Sequence, residues 1–414
     1  MRSLKMTNKK LLFIWNYHYF PFEKGKSRFS DLLDAFVKEG YQVEVVTSSF
    51  YHMGKTQRSI EDPKYQNLGY KVHFIREPGY KKNVSFARVR SMNHFNAGVR
   101  TYLKKHDPVD VVYVPVPSIK LAAIAEKWCR LAKTKCVIDV EDLWPESFQM
   151  IIRPKFLYKA FTWPLTIQAN KVYRKADAVV TVSETYMNRV RQTRKDPFSN
   201  AVAPIGADAD CVHSIIDKSS VSKPAGEFWV SYIGTFGKSY DLRMAIDAVS
   251  SLYAQVHTNL VFKLMGSGPE FGEIKSYASS KPGRFEFLGL IPYDQMCQIL
   301  AASDAGLNPI VKGSVASLIN KVGDYAACGL PVLNTQDCPE YEQLLSRFNA
   351  GLSSPAGNLD GLIENLKKVL DNPTLLDEMR KGAEELSAHY LSRAKSQSDI
   401  LALIASIYGT ESQK

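Results

Sequence analysis

Short β-branched and apolar runs, several of them almost wholly apolar, alternate with amphipathic stretches along this chain, and the alternation occurs twice. In the first half the runs are 11–15, 42–47, 71–76, 109–114, 136–140 and 178–182; in the second they are 229–233, 260–265, 284–288, 305–308 and 331–334. A strand that is apolar on both faces must be covered on both faces, which parallel sheets flanked by helices achieve. The intervening stretches supply those helices. Phe29, Leu32, Leu33 and Phe36 recur at helical spacing within 27–38, a similar stripe runs through 119–132, and 241–256 and 295–302 repeat the theme in the second half. The expected class is α/β, with two doubly wound sheets in succession.

A chain of 414 residues exceeds one ordinary core and suits two domains. The polar segment Lys218-Ser219-Ser220-Val221-Ser222-Lys223-Pro224 is the natural break. It predicts a first domain over 1–218, a second over 219–390, and a terminal helical stretch, 391–414, that is a candidate for crossing back onto the first. A composition 45% hydrophobic and 23% charged is that of a soluble globular protein. No apolar run approaches the ~18 residues of a membrane span. Arg2, Lys5, Lys9 and Lys10 precede the first apolar run in the manner of a secretory leader. Asn16 and His18 interrupt that run too early and no small-residue cleavage site follows, so a first β-strand is expected. The six cysteines show neither a Cys-x-x-Cys pair nor a metal-ligand spacing. They read as reduced thiols of a cytoplasmic protein.

The net charge of +11 points to an anionic partner. Zinc-finger spacing, an aromatic ribonucleoprotein motif and a helix-turn-helix signature are all missing, which argues against nucleic acid. An anionic membrane surface or a phosphorylated substrate remains, and much of the excess lies before residue 200. A solvated surface is the bland alternative for each basic cluster.

Open α/β sheets bind ligands at the carboxyl ends of their strands, so the loops after the strands hold the candidates. Ser317 to Pro331 is the most informative. Asn320 or Ser317 can cap a short helix that Gly329 and Pro331 end. Lys321 and Asp324 then share one face, with Lys321 adding a full charge to the helix N-terminus, a natural anion site. Asp324, one turn on, suits the vicinal hydroxyls of a ribose. The bland alternative is a surface ion pair at i,i+3. Gly234-Thr235-Phe236-Gly237-Lys238 opens the second half with glycines and a lysine ahead of a helix, in neither a Gly-x-Gly-x-x-Gly nor a Walker spacing. Gly266-Ser267-Gly268 and Gly289-Leu290-Ile291-Pro292 follow the next two strands, where a plain turn is the alternative. In the first half, Gly25 and Lys26 precede a helix, with Lys26 and Arg28 read as solvated if the loop is only a turn. Glu141, Asp142 and Glu146 follow Asp139 at a strand end, able to position an acceptor hydroxyl or a cation. Asp142 can equally cap the helix beyond. No histidine cluster supports a metal there.

Gly234-Thr-Phe-Gly, Met265-Gly-Ser-Gly-Pro-Glu, Phe287-Leu-Gly-Leu-Ile-Pro, Ser303-Asp-Ala-Gly-Leu and Asn320-Lys-Val-Gly-Asp-Tyr-Ala-Ala-Cys-Gly-Leu-Pro resemble, in order, the donor domain of GT-B-fold retaining glycosyltransferases of the family 4-like kind. Asp139-Val-Glu-Asp-Leu-Trp-Pro-Glu resembles a segment of those that build bacterial surface polysaccharides such as O-antigen or capsule. The resemblance implies two facing Rossmann-like, doubly wound domains with an interdomain cleft. It implies a hexosyltransferase with a nucleotide-sugar donor, of UDP-N-acetylhexosamine type, on the second domain, and a lipid-diphosphate-linked acceptor on the first. By it, Lys321 and Lys238 lie beside the diphosphate and Asp324 on the ribose. Gly25 and Lys26 form a loop over the donor. Gly234, Thr235, Gly266, Gly268, Leu290, Ile291, Ser317 and Asn320 line the donor site, and Glu141 and Asp142 face the acceptor. The wider family has a glutamate eight positions before the ribose-binding carboxylate, where this chain has Ala316, and a glutamate rather than Asp324 itself. The usual proposal for the family is same-face attack with the donor diphosphate taking the acceptor's proton, which needs no cofactor or metal. Residues 156–165 mix aromatics and lysine as an interfacial helix does, with core packing as the alternative. The expected location is the inner face of the cell membrane, peripherally attached. Rival readings are a nucleotide-sugar epimerase on the same architecture and a binding subunit with a decayed donor site.

Overall fold

The computed structural model describes residues 9–150, 155–194, 196–255, 257–314 and 317–409. Two compact units divide the chain. The first runs to Ala203 and takes in the chain from Gln397 onward, and the second is Pro204–Ser396.

In the first unit β1 (Lys10–Ile14) and β2 (Gln42–Ser48) are followed by a small antiparallel hairpin, β3 (Phe50–Tyr51) and β4 (Thr56–Gln57). Then come β5 (Lys71–Ile75), β6 (Val111–Val116), β7 (Lys135–Val140), β8 (Ala178–Thr181) and β9 (Ser199–Val202). All but the hairpin form one sheet in the order β5-β2-β1-β6-β7-β8-β9. Every neighbouring pair is parallel, with Phe13 opposite both Val45 and Tyr113. The apolar runs are buried as their composition demands: every residue of β6 is buried, and so are Leu11 to Ile14 of β1. The apolar stripe of the helix Arg28–Lys38 packs into a core with Leu11, Phe13 and Tyr113. That core also takes Ile400, Ile404 and Ile407 from the last helix, Arg393–Gly409.

The second unit repeats the plan with β10 (Phe228–Ile233), β11 (Leu260–Met265), β12 (Arg284–Gly289), β13 (Ala305–Asn308), β14 (Val332–Asn334) and β15 (Gly351–Ser353). Its sheet is also parallel, in the order β12-β11-β10-β13-β14-β15. The strand order reverses direction at β1/β6 in the first sheet and at β10/β13 in the second. Crevices open at the carboxyl ends of strands at such switch points.

One expectation needs correcting. The polar segment 218–224 is not where the units divide. The helix Ala209–Ile216 before it buries Val212 in the second unit's core, and Lys223 within it forms an ion pair with Asp304 at 2.6 Å. The terminal stretch is the single helix Arg393–Gly409, reached from the helix Pro373–His389 by a chain that runs extended past 206–207. Leu391 O accepts from Ala207 N, and Ala207 pairs with Ser392. The strands β9 and β15 went unpredicted, being short edge segments with polar residues in them. All six cysteines are free thiols, five of them buried. No described helix is long and apolar enough to cross a membrane.

Candidate functional site

The helix Asn320–Ala327 lies just beyond the β10/β13 switch point, and its seat is specific. The Tyr325 hydroxyl is buried, accepts from the Ile233 N–H at the end of β10 and donates to the Leu307 carbonyl of β13, both at 3.1 Å. On its other side Gly323 meets the chain at 206–207 so closely that an added Cβ would lie 2.9 Å from the Gly206 carbonyl carbon. Gly329, at φ +60°, ends the helix as the sequence predicts. The start differs. Neither Ser317 nor Asn320 is at the cap position: Ile319 occupies it and makes no side-chain cap hydrogen bond, while Asn320 is exposed inside the helix. Ser317 serves through its carbonyl, which accepts from Gln336 Nε2 at 2.8 Å. Gln336 belongs to a buried amide cluster in which Asn308 Nδ2 donates to Asn334 Oδ1 and to Gln336 Oε1. That cluster ties the approach to the helix to the ends of β13 and β14. Ala316 lies outside the described residues.

Lys321 is only 7% exposed, and its Nζ has no hydrogen-bond partner. The surface ion pair with Asp324 therefore does not form. The ammonium lies 4.0 Å from the Tyr232 ring centroid and 3.9 Å from that of Tyr240. It reaches the backbone of Gly234, where an added Cβ would sit 3.2 Å from Nζ. Burial holds its pKa well below the usual lysine value. Asp324, one turn further on, is half-buried and accepts from the Tyr293 hydroxyl at 2.8 Å. Burial raises its carboxyl to about 6, against the opposing effects of that hydrogen bond and of Arg393. An uncapped helix start, an unpartnered cation and a carboxylate thus succeed one another along a single helix. Such a series fits an anion joined to a diol.

The glycine loops take two roles. Gly266 and Gly268 let their loop pack on the loop after β10, since a Cβ at Gly266 would stand 1.9 Å from the Gly234 carbonyl oxygen and one at Gly268 2.3 Å from that of Phe236. They shape the site by close approach. Gly234 and Thr235 are exposed beside Lys321, with the Thr235 carbonyl held by the Tyr232 hydroxyl at 2.7 Å, and Lys238 is exposed. Leu290 is exposed and Ile291 half-buried just before Tyr293. Tyr232, Tyr240 and Tyr293 were not singled out from the sequence. Tyrosines bracketing a strand-end glycine loop were the available signal.

In the first unit Gly25 adopts φ +94° with open space around it, and Lys26 is exposed. Arg28 is not solvated. It is buried and forms ion pairs with Asp139 at 3.1 Å and Glu141 at 3.3 Å, and it donates to the Ala203 carbonyl. The Tyr113 hydroxyl also donates to Asp139. Asp142 does not cap a helix: it accepts from Trp144 Nε1 and the Ser147 hydroxyl, at 3.0 and 2.7 Å. Glu141 and Asp142, the two carboxylates expected to face an acceptor, are therefore already engaged. Among the described residues no group of three or more His, Cys, Asp or Glu is placed to hold a metal ion.

Two family models match the chain, "Glycosyl transferase 4-like domain" over residues 26–206 and "Glycosyl transferases group 1" over 227–372. No curated protein matches the sequence. Among solved structures, HepE from Anabaena in complex with UDP superposes with a TM-score of 0.68 at 15% identity, covering 96% of this chain and 100% of its own. WaaG, a glycosyltransferase involved in lipopolysaccharide biosynthesis, gives 0.63 at 15% identity over 94% and 98%. A Listeria monocytogenes protein described as a "putative UDP-N-acetylglucosamine 2-epimerase" gives 0.63 at 14% identity over 98% of both chains. At such identities the solved structures establish the architecture alone. The two domain models, in the expected order and spanning most of the sequence, establish more: the chain belongs to the GT-B glycosyltransferases.

Proposed function

We propose that this glycosyltransferase moves a sugar, with retention at the anomeric carbon, from a UDP-linked donor of N-acetylhexosamine type to a lipid-diphosphate-linked acceptor in bacterial surface-polysaccharide assembly. The observation that carries the donor half is the partnerless, buried Nζ of Lys321 beside Gly234 at an uncapped helix start. A diphosphate there would receive backbone N–H groups and one cation, with Lys238 a second on the exposed loop. Asp324 would accept from the ribose hydroxyls. HepE binding UDP and, in another crystal, UDP-glucose supports UDP as the nucleotide. As the glycosidic bond to the donor breaks, charge grows on the diphosphate, and groups already aimed at it stabilise that state more than the ground state. The acceptor hydroxyl attacks from the side the leaving group vacates, and a diphosphate oxygen takes its proton. No resident cofactor is invoked.

Calorimetry with UDP tests the donor half, and no heat at millimolar UDP would leave only the binding-subunit reading's decayed site. The epimerase rival has a solved relative of the same fold behind it. Nucleotide sugar epimerised without any acceptor would favour it over transfer.

Asp324 gives this reading a pH signature. Its carboxyl accepts hydroxyl hydrogen bonds most strongly when ionised, and burial has raised it to about 6. UDP affinity should therefore climb between about pH 5 and 7 and then level off. Asp324→Asn should bind UDP about tenfold more weakly and lose the acid limb. A limb that persists in the variant would assign it to another group.

The membrane half rests on the helix Lys155–Lys175. Phe156, Phe161 and Trp163 are 73%, 65% and 67% exposed, so core packing does not account for them. Lys159, Lys171 and Arg174 are exposed on the same helix. Phe86 and Val89 stand exposed on the helix Phe86–Lys105, which joins it through the intervening helix Ile119–Ala132. Aromatics inserted at headgroup depth, with each nearby cation adding up to ~1 kcal/mol on an anionic leaflet, would hold the protein there. Phe161→Glu with Trp163→Glu should reduce sedimentation with phosphatidylglycerol vesicles at least tenfold and leave UDP binding unchanged. Undiminished sedimentation would remove this surface from the reading.

A further inference from the structure

Three loops at the carboxyl edge of the first sheet, after β1, β5 and β7, converge with the β3–β4 hairpin on one side chain, Arg88. Its guanidinium donates twice to the Tyr17 hydroxyl, at 3.0 and 3.3 Å, and once to the Asn83 carbonyl at 3.0 Å. It lies 5.5, 5.8 and 6.0 Å from the ring centroids of Tyr17, Tyr80 and Trp144. The hairpin tip adds Lys55, whose Nζ donates to Asn83 Oδ1 at 2.6 Å and lies 3.1 Å from His52 Nδ1 and 4.9 Å from the Tyr80 ring. Lys55 holds φ +56°, a left-handed conformation uncommon for a lysine. Every one of these contacts is to a neutral group. Among the described residues no carboxylate stands within ion-pair distance of Lys55 or Arg88. Two carboxylates on neighbouring loops are otherwise engaged, Glu77 by the Ser48 hydroxyl and Asp142 by Trp144 and Ser147.

Two cations held close together without a counter-charge repel one another, and the cost shows. Burial first, and then the charge of Arg88, lowers the Lys55 pKa. Burial, followed by Lys55 and Arg88, lowers His52 to about 4, so His52 is neutral near pH 7. An anion of two or more charges entering there would remove the repulsion and gain charge-assisted hydrogen bonds. The position, on the carboxyl edge of the first sheet, is where an open α/β sheet takes its ligand.

We propose that Lys55 and Arg88, framed by Tyr17, Tyr80 and Trp144, form a diphosphate subsite for the acceptor. This rests on the transferase reading above and names the acceptor's recognised group: the phosphoryl pair at its reducing end, with the rings flanking the adjoining sugar or lipid.

The test uses the full chain with the donor site first filled by saturating UDP, whose own binding is measured separately. Inorganic pyrophosphate is then titrated in. Wild-type protein should bind it, and Arg88→Ala and Lys55→Ala should each weaken that binding at least tenfold, with Arg88→Lys recovering part of the loss. UDP affinity and melting temperature should not change in any variant. No pyrophosphate binding to the UDP-filled wild type, or equal binding by both alanine variants, would overturn the subsite. Vesicle sedimentation separates the two sources of phosphate. Unchanged phosphatidylglycerol binding in Arg88→Ala fits an acceptor diphosphate, whereas its loss would assign the cluster to bulk headgroups and refute the proposal. Failure of UDP to bind would instead strike the transferase reading, and the two failures are read in separate titrations.

Discussion

Lys321→Met should lower kcat/KM for sugar transfer by about 10²–10³ while raising the melting temperature of the ligand-free protein. The two effects have one cause. Without ligand, Lys321 Nζ is buried between Tyr232 and Tyr240 with no hydrogen-bond partner. A desolvated ring face returns about 2 kcal/mol, and desolvating an ammonium without a hydrogen-bond partner costs several kcal/mol. A methionine of similar length fills the slot without that penalty, and a gain near 1 kcal/mol corresponds to about 2–4 °C in a domain this large. The sign with pH follows from the lowered pKa. The unfolded chain binds the lysine proton more tightly than the folded one, so wild-type stability rises with pH toward the ordinary lysine value. The methionine variant's advantage should therefore be larger at neutrality than at pH 10. Donor binding reverses the balance, because a diphosphate beside Nζ favours the charged form. Above the lowered pKa, UDP binding should then draw in a proton, seen as a calorimetric heat that varies with the ionisation enthalpy of the buffer. A variant that is destabilised, or that keeps its turnover, would mean Lys321 is structural.

The sequence revealed the scaffold and the polarity of this site more fully than its contacts. Apolar runs such as 109–114 and 260–265 can be satisfied only when covered on both faces, so the parallel sheets were legible from hydropathy alone. Lys321 and Asp324 were legible as a pair because helical spacing fixes which residues share a face. What covers Lys321 was not, since Tyr232 and Tyr240 come from a strand and a loop about eighty residues earlier in the chain. Long-range packing of that kind leaves no periodic trace. The helix cap was misread for a related reason. Cap preferences describe what a side chain can do locally, and here Gln336 holds the Ser317 carbonyl while Ile319 occupies the cap position. The break at 218–224 failed because polarity marks a loop, while domain membership is decided by where the flanking apolar residues, here Val212, are buried. Arg28 was the largest miss. A basic residue after a glycine in a loop ordinarily faces solvent, and only the fold brings Asp139 and Glu141 to it.

That buried triad sets the second large effect. Arg28→Ala should destabilise the protein by about 3–5 kcal/mol, because the Asp139 side chain is fully buried and would lose its cation. Tyr113 would still donate to Asp139, but a neutral donor does not replace a charge. The dependence on pH distinguishes this cause from simple loss of packing. Burial raises the Glu141 carboxyl to about 7, with Arg28 opposing the shift and the charge of Asp139 adding to it. A raised carboxyl binds its proton more tightly in the folded state. Its contribution is therefore fully present below the unfolded value near 4.5 and is lost as pH climbs through about 7. Removing Arg28 takes away the main opposing influence and widens that window upward. The loss in Arg28→Ala should accordingly be larger at pH 8 than at pH 5.5, by urea unfolding of wild type and variant side by side. Adding Glu141→Gln should recover part of the stability at pH 8 and little at pH 5.5, since at the lower pH the glutamate already carries its proton. A loss that is equal at both pH values, and unaffected by Glu141→Gln, would reduce Arg28 to a packing residue and remove the electrostatic account of this strand end.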